Sequence, residues 1–271
     1  MDRYALFGNP VAHSVSPQIH AAFAAQTGQA LRYEKREVAP ADFRSAVDDF
    51  FTSGGKGLNV TLPFKADACT YAARVTPRAR AAAAANTLWQ DSDGTLTGDN
   101  TDGIGFVRDL AVNSLIRIDG KNILVLGAGG AARGIFGPLL EQHPARLHIA
   151  NRTAARATEL ANCYGEHVTG GGLENWPDTR FDLVVNATAA GHGGAAVAPP
   201  AELLARAWFG YDLSYGAAAK PFLDWARTHN AARVLDGWGM LVEQAAESFY
   251  LWRGVRPNTT EVLRDGREWR P

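Results

Sequence analysis

A two-lobed α/β fold is predicted for this chain by three observations: apolar runs alternating with helical stretches, a glycine turn set between a strand and a helix, and enough apolar material for two cores. From Lys121 onward, Asn122–Leu126, Arg146–Ala150, Phe181–Asn186, 209–213 and Arg233–Leu235 read as buried strands separated by helical segments. That cadence predicts a doubly wound parallel sheet. Before it, strands are predicted over 4–7, 31–38 and 57–61, with helices over 17–26, 41–51 and 64–73, so the first hundred residues form an α/β layer of their own. Thr87–Gln90 and 95–97 flank Asp93-Gly94 and read as a hairpin near the boundary between lobes. The Ala-rich stretch 78–85 favours helix. A last helix is predicted over 240–252, with Leu241, Ala245, Ser248, Phe249 and Trp252 on one face; the second sheet being complete by then, this helix is expected to return to the first lobe. The expected boundaries are 1–102, 103–236 and 237–271.

Composition narrows the class of partner. The 271 residues are 46% hydrophobic and 20% charged, which suits a folded protein with large cores. With 27 Lys plus Arg against 28 Asp plus Glu, the net charge of −1 provides no field for nucleic acid or an anionic membrane, and a small-molecule role is favoured. Cys69 and Cys163 are too few for a disulfide framework or a thiolate metal site and fit a reducing compartment, the cytoplasm by default. No run approaches a spanning helix, and 4–8 is too short for a signal-peptide core.

The run Ile123-Leu124-Val125-Leu126-Gly127-Ala128-Gly129-Gly130-Ala131-Ala132 is a strand entering a glycine turn and then a helix. Gly127, Gly129 and Ala132 occupy the three small positions of a dinucleotide fingerprint, for the tight turn, the approach of backbone to pyrophosphate, and helix packing. After the next strand comes Asn151-Arg152-Thr153-Ala154-Ala155-Arg156, with no carboxylate where an NAD site places one for the ribose 2′-hydroxyl. The guanidiniums of Arg152 and Arg156 suit a 2′-phosphate instead, which predicts NADP; the other reading is a pair of solvated charges at a helix start.

Three further strand-to-helix junctions carry polar groups. In the stretch from Gly8-Asn9-Pro10 to His20, Ser16 is expected at an N-cap and Pro17 at the first helical position, with Ser14 adding a second hydroxyl beside the helix end; capping and carboxylate binding both account for this. His13 and His20 read as surface or packing residues. In Asn59-Val60-Thr61-Leu62-Pro63-Phe64-Lys65, Lys65 falls in a first helical turn, where the dipole disfavours a cation and would lower its pKa toward proton transfer; a snorkelling surface lysine is the alternative. In Gly98-Asp99-Asn100-Thr101-Asp102-Gly103, Thr101 is a candidate cap and Asp102 a first-turn acid that either holds an ammonium partner or merely complements the helix end.

At these residues the sequence closely resembles the shikimate/quinate dehydrogenase family. Besides the segments above, the match includes Asn86-Thr87, Asn186-Ala187-Thr188 and 237–244, an ordered set running over essentially the whole chain. The resemblance implies an NADP-dependent oxidoreductase of aromatic amino acid biosynthesis, a monomer or homodimer acting on shikimate and 3-dehydroshikimate. It implies a Rossmann-type second domain and a catalytic pair formed by Lys65 and Asp102. Ser14 and Ser16 would take the substrate carboxylate; Thr61, Asn86 and Gln244 its ring substituents; and Tyr215 would line the same site. On the cofactor side it implies Gly127, Ala128, Gly129, Gly130, Ala131, Asn151, Arg152, Thr153, Arg156, Thr188, Leu213, Gly237 and Met240. Lys65 and Asp102 are expected to face each other across a gap wide enough for a cyclohexene acid, with Gly103, Gly105 and Gly237 as flex points. Three departures stand out: Ala83-Ala84-Ala85 where relatives commonly show Gly-Ala-Val, Ala189 for a frequent Ser, and Lys220-Pro221 for Thr-Pro. A quinate/shikimate dehydrogenase of relaxed specificity and a non-catalytic regulatory binder are the alternatives. A methylenetetrahydrofolate dehydrogenase would share the two-lobe plan but has no call for the Ser14/Ser16 site.

Overall fold

Strand β1 (Asp2–Gly8) is buried from Tyr4 to Gly8, because it lies inside its sheet between two paired neighbours and both faces of the sheet are covered there. The computed structural model describes residues 1–188 and 198–269; Ala189 lies outside them. The chain divides into two compact units, Met1–Phe106 with Leu241–Pro271, and Val107–Met240.

In the first unit α1 (Ser16–Thr27) and α2 (Phe43–Thr52) connect β1 to β2 (Leu31–Glu37) and β2 to β3 (Gly55–Val60), both parallel to β1. Helix α2 buries Phe43, Val47, Phe50 and Phe51, one stripe at helical spacing, against Phe7, Leu58 and Val60 of the sheet. Each such side chain contributes about 1.5–3 kcal/mol when buried. Then follow α3 (Lys65–Tyr71), the two-residue β4 (Arg74–Val75), α4 (Pro77–Ala82), the hairpin β5 (Thr87–Gln90) and β6 (Leu96–Asp99), and α5 (Asp102–Arg108). The sheet runs β2-β1-β3-β5-β6-β4, parallel at β1 and antiparallel where the hairpin joins β3.

The second unit carries β7 (Asn122–Leu126), α6 (Gly130–Leu140), β8 (Arg146–Ala150), α7 (Ala154–Ala161), β9 (Val168–Gly171), β10 (Phe181–Asn186), β11 (Leu204–Asp212), α8 (Lys220–Thr228) and β12 (Arg233–Leu235). Its described strands are all parallel, in the order β12-β11-β10-β7-β8-β9. This is the doubly wound order, reversing direction between β7 and β10, where ligands bind outside the carboxyl ends of the strands. Helix α9 (Trp238–Arg253) then leads back, and from Leu241 onward, with α10 (Thr260–Asp265), it belongs to the first unit. The Trp252 indole lies directly on β3, where a Cβ at Gly57 would fall 2.5 Å from it; only glycine leaves that room. Among the described residues no helix is long and apolar enough to cross a membrane.

Local expectations differ from the structure in a few places. Strand β9 was not foreseen, since Val168-Thr169-Gly170-Gly171 has no apolar alternation and forms only by pairing along β8 at the sheet edge. Strand β11 starts at Leu204, before the expected 209, because its register shifts beside β10. Two expected helix caps also fail. Val15, not Ser16, is the N-cap of α1, and Ser16 is its first residue; the Ser14 hydroxyl accepts from the Ser16 N–H at 3.3 Å. At α5 Asn100 Oδ1, rather than Thr101, accepts from the Asp102 N–H at 3.1 Å, because the Thr101 hydroxyl turns into a buried polar network.

Candidate active site

Lys65 is the first residue of α3 and Asp102 the first of α5, helices that follow β3 and β6, two strands on either side of β5 in the first unit's sheet. Lys65 Nζ donates to Asp102 Oδ2 at 2.6 Å, with the Asp102 side chain only 7% exposed. The expected gap between them is therefore absent. The two groups are in direct contact, and the ammonium offsets the cost of withdrawing the Asp102 carboxylate from water.

Asn86 fixes the other carboxylate oxygen. Its Nδ2 lies 2.7 Å from Asp102 Oδ1, 2.9 Å from Thr101 Oγ1 and 3.3 Å from Gln244 Oε1, while its Oδ1 accepts from the Thr101 N–H at 2.9 Å and from Thr87 Oγ1 at 2.8 Å. Gln244 reaches this cluster from α9 and is oriented by donating Nε2 to the Leu241 carbonyl at 2.9 Å. Behind it, Asn59 Nδ2 points at the Asn86 carbonyl, Thr87 Oγ1 and Ser248 Oγ at 3.0–3.1 Å, and its Oδ1 accepts from the Tyr33 hydroxyl at 2.8 Å. Burial pushes the Tyr33 phenol upward in pKa, with the Ser16 hydroxyl beside it. Asp99, three residues before Asp102, is held by Arg78, by the Thr76 hydroxyl and by the Asn100 N–H, and Arg78 also reaches Glu247 on α9. The loop that carries Asp102 is thus anchored to the helix that carries Gln244.

At the start of α1, Ser14 Oγ and Ser16 Oγ are 3.0 Å apart, and Lys35 Nζ donates to the Ala12 and Ser14 carbonyls at 2.6 and 3.2 Å. Two hydroxyls and an ammonium converge there. Thr61, half-buried, follows β3 with its N–H on the Phe7 carbonyl at 2.9 Å. His13 is exposed, whereas His20 is fully buried, its ring stacked 4.2 Å from Tyr33, and burial lowers its pKa to about 3. Ser14, Ser16, Thr61, Lys65, Asn86, Asp102 and Gln244 all belong to the first unit. Tyr215 belongs to the second, half-buried with its ring 6.4 Å from Trp238, and burial raises its pKa. Sequence reasoning did not single out Asn59, Ser248, Tyr33, Lys35 or Arg78. For Asn59 and Ser248 the available signal was weak, a polar residue inside an otherwise buried strand or helix stretch; β2, which carries Tyr33 and Lys35, has no buried residue and offered none.

In the second unit β7 runs into Gly127, whose φ of +110° is one that L side chains rarely adopt; a Cβ there would also fall 2.9 Å from the Ala187 carbonyl. Ala128 is buried, Gly129, Gly130 and Ala131 are exposed, and a Cβ at Gly129 would meet no atom within 4 Å. Ala132, on α6, is fully buried. The start of α6 is thus exposed and uncrowded, which suits a pyrophosphate at a helix amino end. At the end of β8, Asn151 Nδ2 donates to the Thr153 carbonyl at 3.0 Å, and Arg152 and Arg156 are exposed at the head of α7 with no ion pair among the described residues. Thr188 donates its N–H and hydroxyl to Asn186 Oδ1, and Leu213 N–H bonds the Asn186 carbonyl at 2.9 Å. A Cβ at Gly237 would fall 2.2 Å from the Leu213 carbonyl, so packing alone demands glycine there; Met240 is buried. An open glycine turn, an exposed helix start and two guanidiniums at the carboxyl ends of β7 and β8 fit a phosphorylated dinucleotide.

Three family models match the chain: a shikimate dehydrogenase substrate binding domain over residues 6–88, a shikimate / quinate 5-dehydrogenase over 109–193, and a shikimate 5′-dehydrogenase C-terminal domain over 237–264. The shikimate dehydrogenase (NADP(+)) of Methylococcus capsulatus is 51% identical over 264 residues, covering 97% of this chain and 95% of that protein. This chain belongs to the shikimate dehydrogenase family. Among solved structures of similar proteins, an Ael1 enzyme from Pseudomonas putida superposes with a TM-score of 0.92 at 43% identity, covering 98% of both chains. The shikimate 5-dehydrogenase of Thermus thermophilus, in complex with NADP(H) and shikimate, does so with a TM-score of 0.85 at 33% identity, covering 99% of this chain and all of that one.

Proposed function

We propose that this chain catalyses the reversible NADPH-dependent reduction of 3-dehydroshikimate to shikimate, with residues 1–102 and 237–271 serving the substrate and 103–236 the cofactor. The observation that carries this reading is the Lys65–Asp102 ion pair, held by Asn86 in a chain whose relatives bear the name of that activity. Ser14 and Ser16, supported by Lys35, take the substrate carboxylate; Thr61, Asn86, Gln244 and Tyr215 take its hydroxyls and ring. Lys65 Nζ donates to the carbonyl oxygen as negative charge develops there, and delivers a proton to it. Asp102 holds the ammonium in place and accepts from the neighbouring substrate hydroxyl. When bound, NADPH supplies the hydride. The amino end of α6 receives its pyrophosphate, and Arg152 and Arg156 receive its 2′-phosphate.

The reading places the enzyme in the cytoplasm, as a monomer or homodimer acting on small molecules, and the unpaired thiols Cys69 and Cys163 suit that compartment. The relatives' names favour shikimate over quinate and an enzyme over a silent binder. The deciding experiment follows the absorbance of the reduced nicotinamide with 3-dehydroshikimate, using NADPH and NADH in turn. Rapid oxidation of NADPH is expected, and no oxidation of either cofactor overturns the reading.

A further inference from the structure

At the carboxyl ends of β10 and β11, side by side in the ladder, stand Asn186 and Asp212, 4% and 1% exposed. Asn186 Nδ2 donates to Asp212 Oδ2 at 2.7 Å, and the Ser214 N–H donates to Asp212 Oδ1 at 2.7 Å. On the other side Asn186 Oδ1 accepts from the Thr188 N–H at 3.2 Å and from Thr188 Oγ1 at 2.7 Å. The polarity of this chain has one solution. The backbone N–H groups of Thr188 and Ser214 are obligate donors, so Asn186 must turn its oxygen to Thr188 and its NH2 to residue 212. Residue 212 must then accept twice, once on each oxygen, which an ionised carboxylate does and an amide does not. No cation pairs with Asp212 among the described residues, so its charge is held by these hydrogen bonds alone. Burial pushes its carboxyl up to about 6 against the pull of Asn186 and Ser214; the charged group facing it is Asp236, which itself accepts from the Gly216 and Trp238 N–H groups.

Thr188 borders the glycine turn: its nitrogen is 3.3 Å from where a Cβ on Gly127 would stand, at the sheet's reversal between β7 and β10. We propose that Asp212 is a positioning residue of the dinucleotide site, acting through the Asn186 amide to hold Thr188 in the orientation that contacts NADP(H). This rests on the cofactor reading above, and extends it to a residue that touches no ligand. Protonation of Asp212 weakens its acceptance from Asn186, loosens the amide, and removes the advantage Thr188 provides.

The test is calorimetric binding of NADP+ to the wild-type protein and to Thr188→Val, from pH 8 down to pH 5. At pH 8 the variant is expected to bind about tenfold more weakly, the worth of one hydrogen bond. The ratio of the two dissociation constants is expected to shrink to about threefold or less at pH 5, and titration of the cofactor's 2′-phosphate cancels from that ratio. Asp212→Asn, at pH 8, is expected to lose about tenfold in affinity in the wild-type background and much less beside Thr188→Val. A ratio constant across pH overturns the proposal, as does wild-type affinity in either single variant; a residue that merely stabilises the fold predicts that constant ratio. Failure of the wild-type protein to bind NADP+ at any pH would instead remove the cofactor reading on which the proposal stands. The wild-type and Thr188→Val comparison needs no Asp212 variant to fold.

Discussion

Lys65 Nζ and Asp102 Oδ2 are 2.6 Å apart, joined across two helix starts that lie 37 residues from each other in sequence. In the proposed reaction this ammonium and carboxylate, in contact and largely out of water, would act as one unit, a donor for the substrate oxygen with an acceptor beside it. Removing the donor, as in Lys65→Ala, is expected to lower kcat roughly 10²–10⁴-fold with much less change in KM. Steady-state kinetics on 3-dehydroshikimate check this, and wild-type turnover in the variant would take Lys65 out of the chemistry.

Ser14 has two duties, as acceptor for the first N–H of α1 and as a hydroxyl within 3.0 Å of Ser16 Oγ. In Ser14→Ala the loss of a donor to an anion is expected to weaken shikimate binding by about 1.5–3 kcal/mol. Titration calorimetry reads that directly. Unchanged affinity with a lowered melting temperature would leave Ser14 as a cap and nothing more.

Cofactor choice is expected to reside in Arg152 and Arg156. The double variant Arg152→Ala/Arg156→Ala should lose roughly ten- to a hundredfold in kcat/KM with NADPH while NADH is little affected, because only the former brings a 2′-phosphate to pair with. An equal loss with both cofactors would return these side chains to solvent.

Ala83 closes α4 at φ +49°, in the left-handed region that favours glycine, and its N–H bonds the Arg80 carbonyl at 3.1 Å. The left-handed conformation costs an L residue about 1–2 kcal/mol, against about 0.5–1 kcal/mol for the extra freedom glycine loses on folding. The strain is the larger, so Ala83→Gly should stabilise the protein by about 0.5–1 kcal/mol in urea denaturation. A destabilised variant would show that the loop before Asn86 is relaxed as it stands.

His20 is buried with no hydrogen bond of ordinary geometry on either ring nitrogen, and burial lowers its pKa to about 3 against the weaker opposing pull of the Asn59 side chain. The unfolded chain takes up that proton near 6.5 and the folded one only near 3, so this group's contribution is intact above pH 6.5 and is lost as pH falls through that window. At about 1.4 kcal/mol per unit, the wild type should lose roughly 3 kcal/mol between neutral pH and pH 4.5 that His20→Phe does not lose. Asp212, raised to about 6, acts with the opposite sign but is present in both proteins and cancels. Parallel acid sensitivity of the two would contradict the assignment.

Much of this was legible in the residues because it is local. Strands β7, β8 and β12 have the bounds their apolar runs predict, and the turn at Gly127 needs only that a glycine follow a buried strand and precede a helix. Lys65 and Asp102 were marked by their places at helix starts, a property of spacing and backbone dipole. What spacing does not contain is convergence. Asn59, Thr87 and Ser248 meet at 3.0–3.1 Å only because β3 pairs with β5 while α9 packs back on the first unit. Asp212 turns into the partner of Asn186 only when β11 lies beside β10. Ser16 was placed as a cap by its neighbours in sequence, but α1 begins one residue earlier, with Val15 at its N-cap; at α5 Asn100 accepts from the Asp102 N–H while the Thr101 hydroxyl joins the buried cluster around Asn86. The chain itself determined two α/β lobes, a phosphate-receiving turn and the types of group at each junction, since these follow from periodicity and backbone geometry within a few residues. Tertiary structure alone decided that the lysine and aspartate touch rather than face each other across a space, because folding brings two helix starts 37 residues apart in sequence to within reach of one ion pair.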